Sequence, residues 1–94
     1  MLHNHGYTEL EYGQLLSLPQ WKAKRKQILL RDGNKCRSCG STNFLQVHHR
    51  QYHISKSIGV FRLPWKYDNK YLITLCNKCH SAGHSKFRVP IFSI

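Results

Sequence analysis

At 94 residues and a formal net charge of +11, the chain has room for one domain, with a core too small to be secure without reinforcement such as a structural metal. It contains no 18-residue apolar run and opens with neither the basic nor the apolar region of an export signal, so we expect no membrane span and a cytoplasmic protein. Residues 1–20 hold no Lys or Arg, whereas residues 21–94 carry all 15 basic residues against Asp32 and Asp68, a formal +13. That imbalance points to a polyanionic partner, nucleic acid, since no amphipathic anchor accompanies it.

Residues 1–16 form a weakly patterned extension in which Tyr7, Leu10, Tyr12, Leu15 and Leu16 suit a short packed helix. A basic helix is predicted over 17–33. Ser17 would cap it, Pro19 fits its first turn, and Trp21, Ile28 and Leu29 share one face. Gly33 suits a left-handed cap at its end. The metal-bound core is expected over 34–88. It begins with a knuckle, Cys36-Arg37-Ser38-Cys39-Gly40, and a short strand, Phe44-Leu45-Gln46-Val47-His48. A long connection over 50–63 ends at Pro64-Trp65, and Leu72-Ile73-Thr74-Leu75 forms a second extended segment. A helix starting near Asn77 carries His80 and His84 and stops before Pro90. The apolar tail, 89–94, is expected to fold back. Trp21 and Trp65 read as core plugs ahead of base-stacking residues.

All four cysteines sit in two CxxC pairs, Cys36/Cys39 and Cys76/Cys79. Four thiolates in that spacing suit a closed tetrahedral structural Zn2+ better than a disulfide framework. Beyond Cys36 the only side-chain carboxylate is Asp68, so a site holding two magnesium ions on clustered acids cannot be built. No G-x-S-x-G elbow is present either. A hydrolase built on this chain must therefore carry its metal on histidine. His80 and His84 stand four apart on the predicted helix and make a bidentate clip. His48 and His49 are consecutive on a strand and face opposite sides, so one can hold an ion while the other acts as a base; spacing does not say which. His53 is at most a substrate contact.

Taken together, Cys36-x2-Cys39-Gly40, Leu45-x-Val47-His48-His49-x2-Tyr52, Pro64-Trp65-x-Tyr67 and Leu72-Ile73-Thr74-Leu75-Cys76-x2-Cys79-His80-x3-His84 resemble the zinc-bearing branch of the HNH endonucleases, or ββα-metal nucleases. The lead-in Ser17-x3-Trp21-x3-Arg25 and Ile28-x2-Arg31-Asp32-Gly33 is similar too, so the resemblance spans residues 12–84. It implies a small α+β, treble-clef-like ββα-metal finger behind an N-terminal helix, acting on DNA. His48, His80 and His84 would hold one catalytic divalent ion (Mg2+, Mn2+, Ni2+ or Zn2+). His49 would be the general base, and cleavage would leave a 5′ phosphate and a 3′ hydroxyl. Arg50, Lys56, Arg62, Lys66 and Lys70 are the candidate phosphate contacts. The family's middle Asn, which braces the loop bearing the histidine pair, is replaced here by Tyr71, with Asn69, Asp68 or backbone contacts as substitutes.

The competing expectation is a zinc-stabilised nucleic-acid-binding module without catalysis, which leaves the four histidines unexplained. A zinc-scaffolded protein-interaction domain would not require the charge. The expected state is a monomer or a homodimer.

Overall fold

Good helix formers from Gln20 to Leu30 make helix α1, Pro19–Arg31, with Pro19 in its first turn. The cap falls on Leu18, not Ser17, and makes no side-chain bond. The Ser17 hydroxyl is occupied elsewhere, donating to the Gln14 carbonyl at 2.7 Å. The other end closes as a Schellman motif. Gly33, at φ 69°, bonds the Leu30 carbonyl at 3.1 Å, and Asn34 bonds the Leu29 carbonyl at 2.8 Å. This computed structural model describes residues 13–86 and 89–94, excepting the side chains of 84–86. The short helix expected within 1–16 lies mostly outside them.

Strand β1, Leu45–His49, pairs antiparallel with a later strand, Leu72–Cys76, from Leu45 opposite Cys76 to His49 opposite Leu72. That strand runs directly into the second helix, Asn77–Lys86. The connection over 50–63 is more ordered than its composition suggests. It contains strand β2, Tyr52–Ile54, which pairs in parallel with Ile91–Ser93, so the tail does fold back. We number the later elements β3 (Leu72–Cys76), α2 (Asn77–Lys86) and β4 (Ile91–Ser93). Single 3-10 turns occupy Pro64–Lys66 and Asn69–Tyr71.

Directly opposed residues in an antiparallel pair share a face. Val47, His49, Leu72 and Thr74 therefore lie on one side of the β1–β3 ribbon, and Gln46, His48 and Ile73 on the other. The first side meets α1: Trp21, Ile28, Tyr67 and Leu72 are the buried centre, ringed by Val47, Tyr52, Trp65 and Tyr71. The result is a small, compact α+β fold. Among the described residues no helix is long and apolar enough to cross a membrane.

A buried carboxylate fastens α1 to the sheet. Asp32, its side chain wholly enclosed, receives Arg31 Nε at 2.8 Å and Arg37 Nη1 at 2.8 Å. It also accepts Arg31 Nη2 at 2.9 Å and the Thr74 backbone N–H at 2.9 Å. Arg31 reaches on to the carbonyls of Asn69 and Leu72, at 2.6 and 2.7 Å. One acid thus ties the helix end, the first knuckle and β3 together.

Candidate metal centre and histidine cleft

The two knuckles meet because Arg37 N–H bonds the Thr74 carbonyl at 2.9 Å, setting the first beside the end of β3 where the second begins. Gly40, at φ 80°, closes the first knuckle by bonding the Cys36 carbonyl at 2.9 Å. Backbone N–H groups of Cys39 and Cys79 point at the sulfurs of Cys36 and Cys76, at 3.4 and 3.5 Å. The four Sγ atoms all lie within 4.8 Å of one another, and those of Cys39 and Cys76 are 3.7 Å apart. A tetrahedron with Zn–S bonds of about 2.3 Å has edges of about 3.8 Å, so the donor set fits such an ion.

The protonation pattern agrees. Burial pushes the Cys36 thiol up, but surrounding backbone N–H groups, led by that of Cys39, outweigh it and bring it down to about 6. Cys76 is also lowered, chiefly by the Cys79 N–H. Cys79 moves the other way. The Ser38 contact lowers it, but the sulfurs of Cys76, Cys39 and Cys36 together push it up to about 12. Four sulfurs this close cannot all ionise without a cation. Four cysteines that could hold a structural ion such as zinc are therefore in place.

A separate cleft of about 650 Å³ lies between α1, β1 and α2, lined by His48, His49 and His80 together with Arg25, Gln46 and Tyr52. His48 and His80 approach edge to face with ring centroids 4.8 Å apart. His84 follows one turn later on α2; its side chain lies outside the described residues. Sequence reasoning overlooked Gln46. Its side-chain oxygen accepts a hydrogen bond from His80 Nδ1, which leaves Nε2 as the nitrogen able to bind an ion. The β1 alternation carries the signal, because Gln46 and His48 share the α2 side.

His49, on the opposite side of β1, is only 4% exposed. Its ring is stacked between Trp21, at 5.1 Å, and Tyr52, at 5.4 Å, with Tyr67 edge-on at 4.9 Å. Nε2 lies 3.1 Å from the Pro64 carbonyl. A carbonyl only accepts, so Nε2 holds the proton and Nδ1 the lone pair in the neutral ring. Burial pushes the His49 pKa down, only partly opposed by that carbonyl. The imidazole is thus held neutral and in one tautomer.

The remaining candidates scatter. Arg50, Lys56, Lys66 and Lys70 are exposed, and Arg62 is half-buried beside Tyr67, 5.9 Å from its ring centre. Lys70 sits over the Tyr71 ring at 5.0 Å. His53 is buried at 7% exposure, with Nε2 on Gln51 at 2.7 Å and its N–H on the Tyr67 hydroxyl at 2.9 Å, so it is packed into the fold and not presented to a substrate. At position 71 the contact to the loop is a backbone one: the Tyr71 carbonyl accepts the Arg50 N–H at 2.7 Å, immediately after the histidine pair. Asn69 contributes its carbonyl to Arg31, while its own side-chain oxygen is buried without a partner.

No family model, curated protein or solved structure matches the chain.

Proposed function

We propose that this protein is a metal-dependent DNA endonuclease of the ββα-metal type, with β1, β3 and α2 as the ββα unit. The observation that carries the reading is His49: a neutral, tautomerically fixed imidazole at the wall of a cleft where His48 and His80 face each other. His48, His80 and His84 would hold the catalytic ion, which when bound supplies charge stabilisation at the scissile phosphate and its leaving oxygen. The chain's own groups do the rest. His49 Nδ1 takes a proton from the attacking water, its Nε2–H steadied by Pro64. Trp21 and Tyr52 hold the ring plane, and Gln46 fixes the His80 ring. The four cysteines keep β3 and the start of α2 in register with the first knuckle. The basic surface, +13 over residues 21–94, draws in the phosphodiester backbone.

Metal stoichiometry tests this reading. A nuclease of this kind binds two ions per chain, one of them removed by mild chelation without unfolding. A single tight ion and no labile one would favour the non-catalytic zinc-stabilised binding module.

A further inference from the structure

We propose that Phe44 is a base-stacking wedge that enters the DNA at a point displaced along β1 from the cleavage cleft. This inference rests on the DNA-directed reading above and adds a contact that neither the cleft nor the charge supplies.

Phe44 is 79% exposed, more than any other large apolar side chain among the described residues. It also holds φ 50°, a left-handed backbone that residues other than Gly, Asn and Asp avoid. A bulky aromatic at that angle costs stability, and at this exposure it recovers almost nothing from packing. Strain retained without a folding benefit is characteristic of a surface reserved for a partner. The conformation is held in place: the Phe44 carbonyl accepts the Asn77 N–H at 3.0 Å, and the next residue begins β1 opposite Cys76. The ring therefore projects from a point anchored by the second knuckle.

Its surroundings identify the ligand. Thr42 and Asn43 precede it, and Asn77, which bonds its carbonyl, is followed by Lys78; all four are exposed. A protein-docking anchor sits within an apolar patch that excludes water. A lone aromatic in polar, basic surroundings matches nucleic acid, where cations take the phosphates and a ring takes a base face. The tryptophans do not compete for this role, since Trp21 is buried and Trp65 half-buried against the core. Along β1, His48 lies four residues on, about 13 Å at roughly 3.3 Å per residue. That span corresponds to about four nucleotide steps at 3.4 Å each.

The test compares wild type, Phe44→Ala and Phe44→Gly by fluorescence anisotropy on a short duplex across a range of salt concentrations. Loss of one stacked base should weaken binding about 5- to 150-fold. The log–log salt slope should stay unchanged, because no phosphate contact is removed. Phe44→Gly, free to adopt φ 50°, should weaken binding while keeping or raising the thermal midpoint, which separates a wedge from a structural side chain. A 2-aminopurine about four steps from the cut should brighten with wild type and not with either variant. If wild type binds with a steep salt slope and both variants bind equally well, Phe44 is no wedge and the DNA-directed reading stands. Absence of DNA binding by wild type would overturn both.

Discussion

Replacing Asp32 by Asn keeps its shape and removes its charge, isolating what the carboxylate contributes. Its oxygens accept three guanidinium contacts and one backbone N–H, all at 2.8–2.9 Å, with the side chain fully enclosed. Removing one partner of a buried pair costs about 3–5 kcal/mol. Here the two guanidinium groups remain 34% and 53% exposed and can recover water, which lowers the expected loss to about 2–3 kcal/mol. For a domain of this size that shifts the thermal midpoint by roughly 10–20 °C. Circular dichroism melts of parent and Asp32→Asn at the same free zinc measure it. The pH dependence supplies a second check. Burial raises the Asp32 pKa, but the Arg31 bond, the Thr74 N–H and Arg37 together pull it well below the usual carboxylate range. A depressed folded pKa makes the contribution fully present above the unfolded value, about 3.9, and lost as pH falls toward the folded one. The gap between parent and variant should therefore be constant from pH 5 to 8 and shrink below about 4. A loss under about 0.5 kcal/mol, the range of ordinary surface changes, would refute the fastening role.

Other substitutions probe the two sites separately. Cys79→Ser should lose zinc and far-ultraviolet signal together, because binding energy at such a site is folding energy; a folded, zinc-loaded variant would contradict the four-cysteine centre. His80→Ala should leave fold and structural zinc intact, weaken the labile ion by more than the roughly 10- to 100-fold that losing an outer-shell partner costs, as read by calorimetry, and recover part of its cleavage at high metal concentration. At saturating metal, cleavage by the parent should persist to lower pH than the ordinary histidine value of about 6.5 allows, because burial depresses His49; a midpoint at or above that value would argue against a buried base.

Local spacing made much of this architecture legible. The CxxC pairs announced the sulfur cluster, Gly33 announced the left-handed end of α1, and Phe44–His48 and Leu72–Leu75 read as extended segments, though not as partners of one another. What escaped depends on partners distant in sequence. The carboxylate of Asp32 meets Thr74 across 42 positions, and nothing near Asp32 marks that encounter. Strands β2 and β4 are three residues each and pair with one another, so neither carries a period long enough to read. Ser17 looked like a cap by residue type, but the preceding turn brings the Gln14 carbonyl to its hydroxyl first. His53 read as a substrate contact at most, and Tyr67 and Tyr71 pack against its ring. Spacing on β1 also left the two roles of the histidine pair open; the two rings differ in their surroundings, His48 facing His80 and His49 locked between rings.

The most direct test is supercoiled plasmid cleavage by parent and His49→Ala at saturating Mg2+, Mn2+ or Ni2+, with EDTA as the control. The parent should nick the plasmid with metal and not with EDTA. His49→Ala should bind DNA and both ions normally yet cleave about 10²–10⁴-fold more slowly. Near-parental cleavage by His49→Ala, or a parent inert with every ion, would contradict a histidine-based metal nuclease.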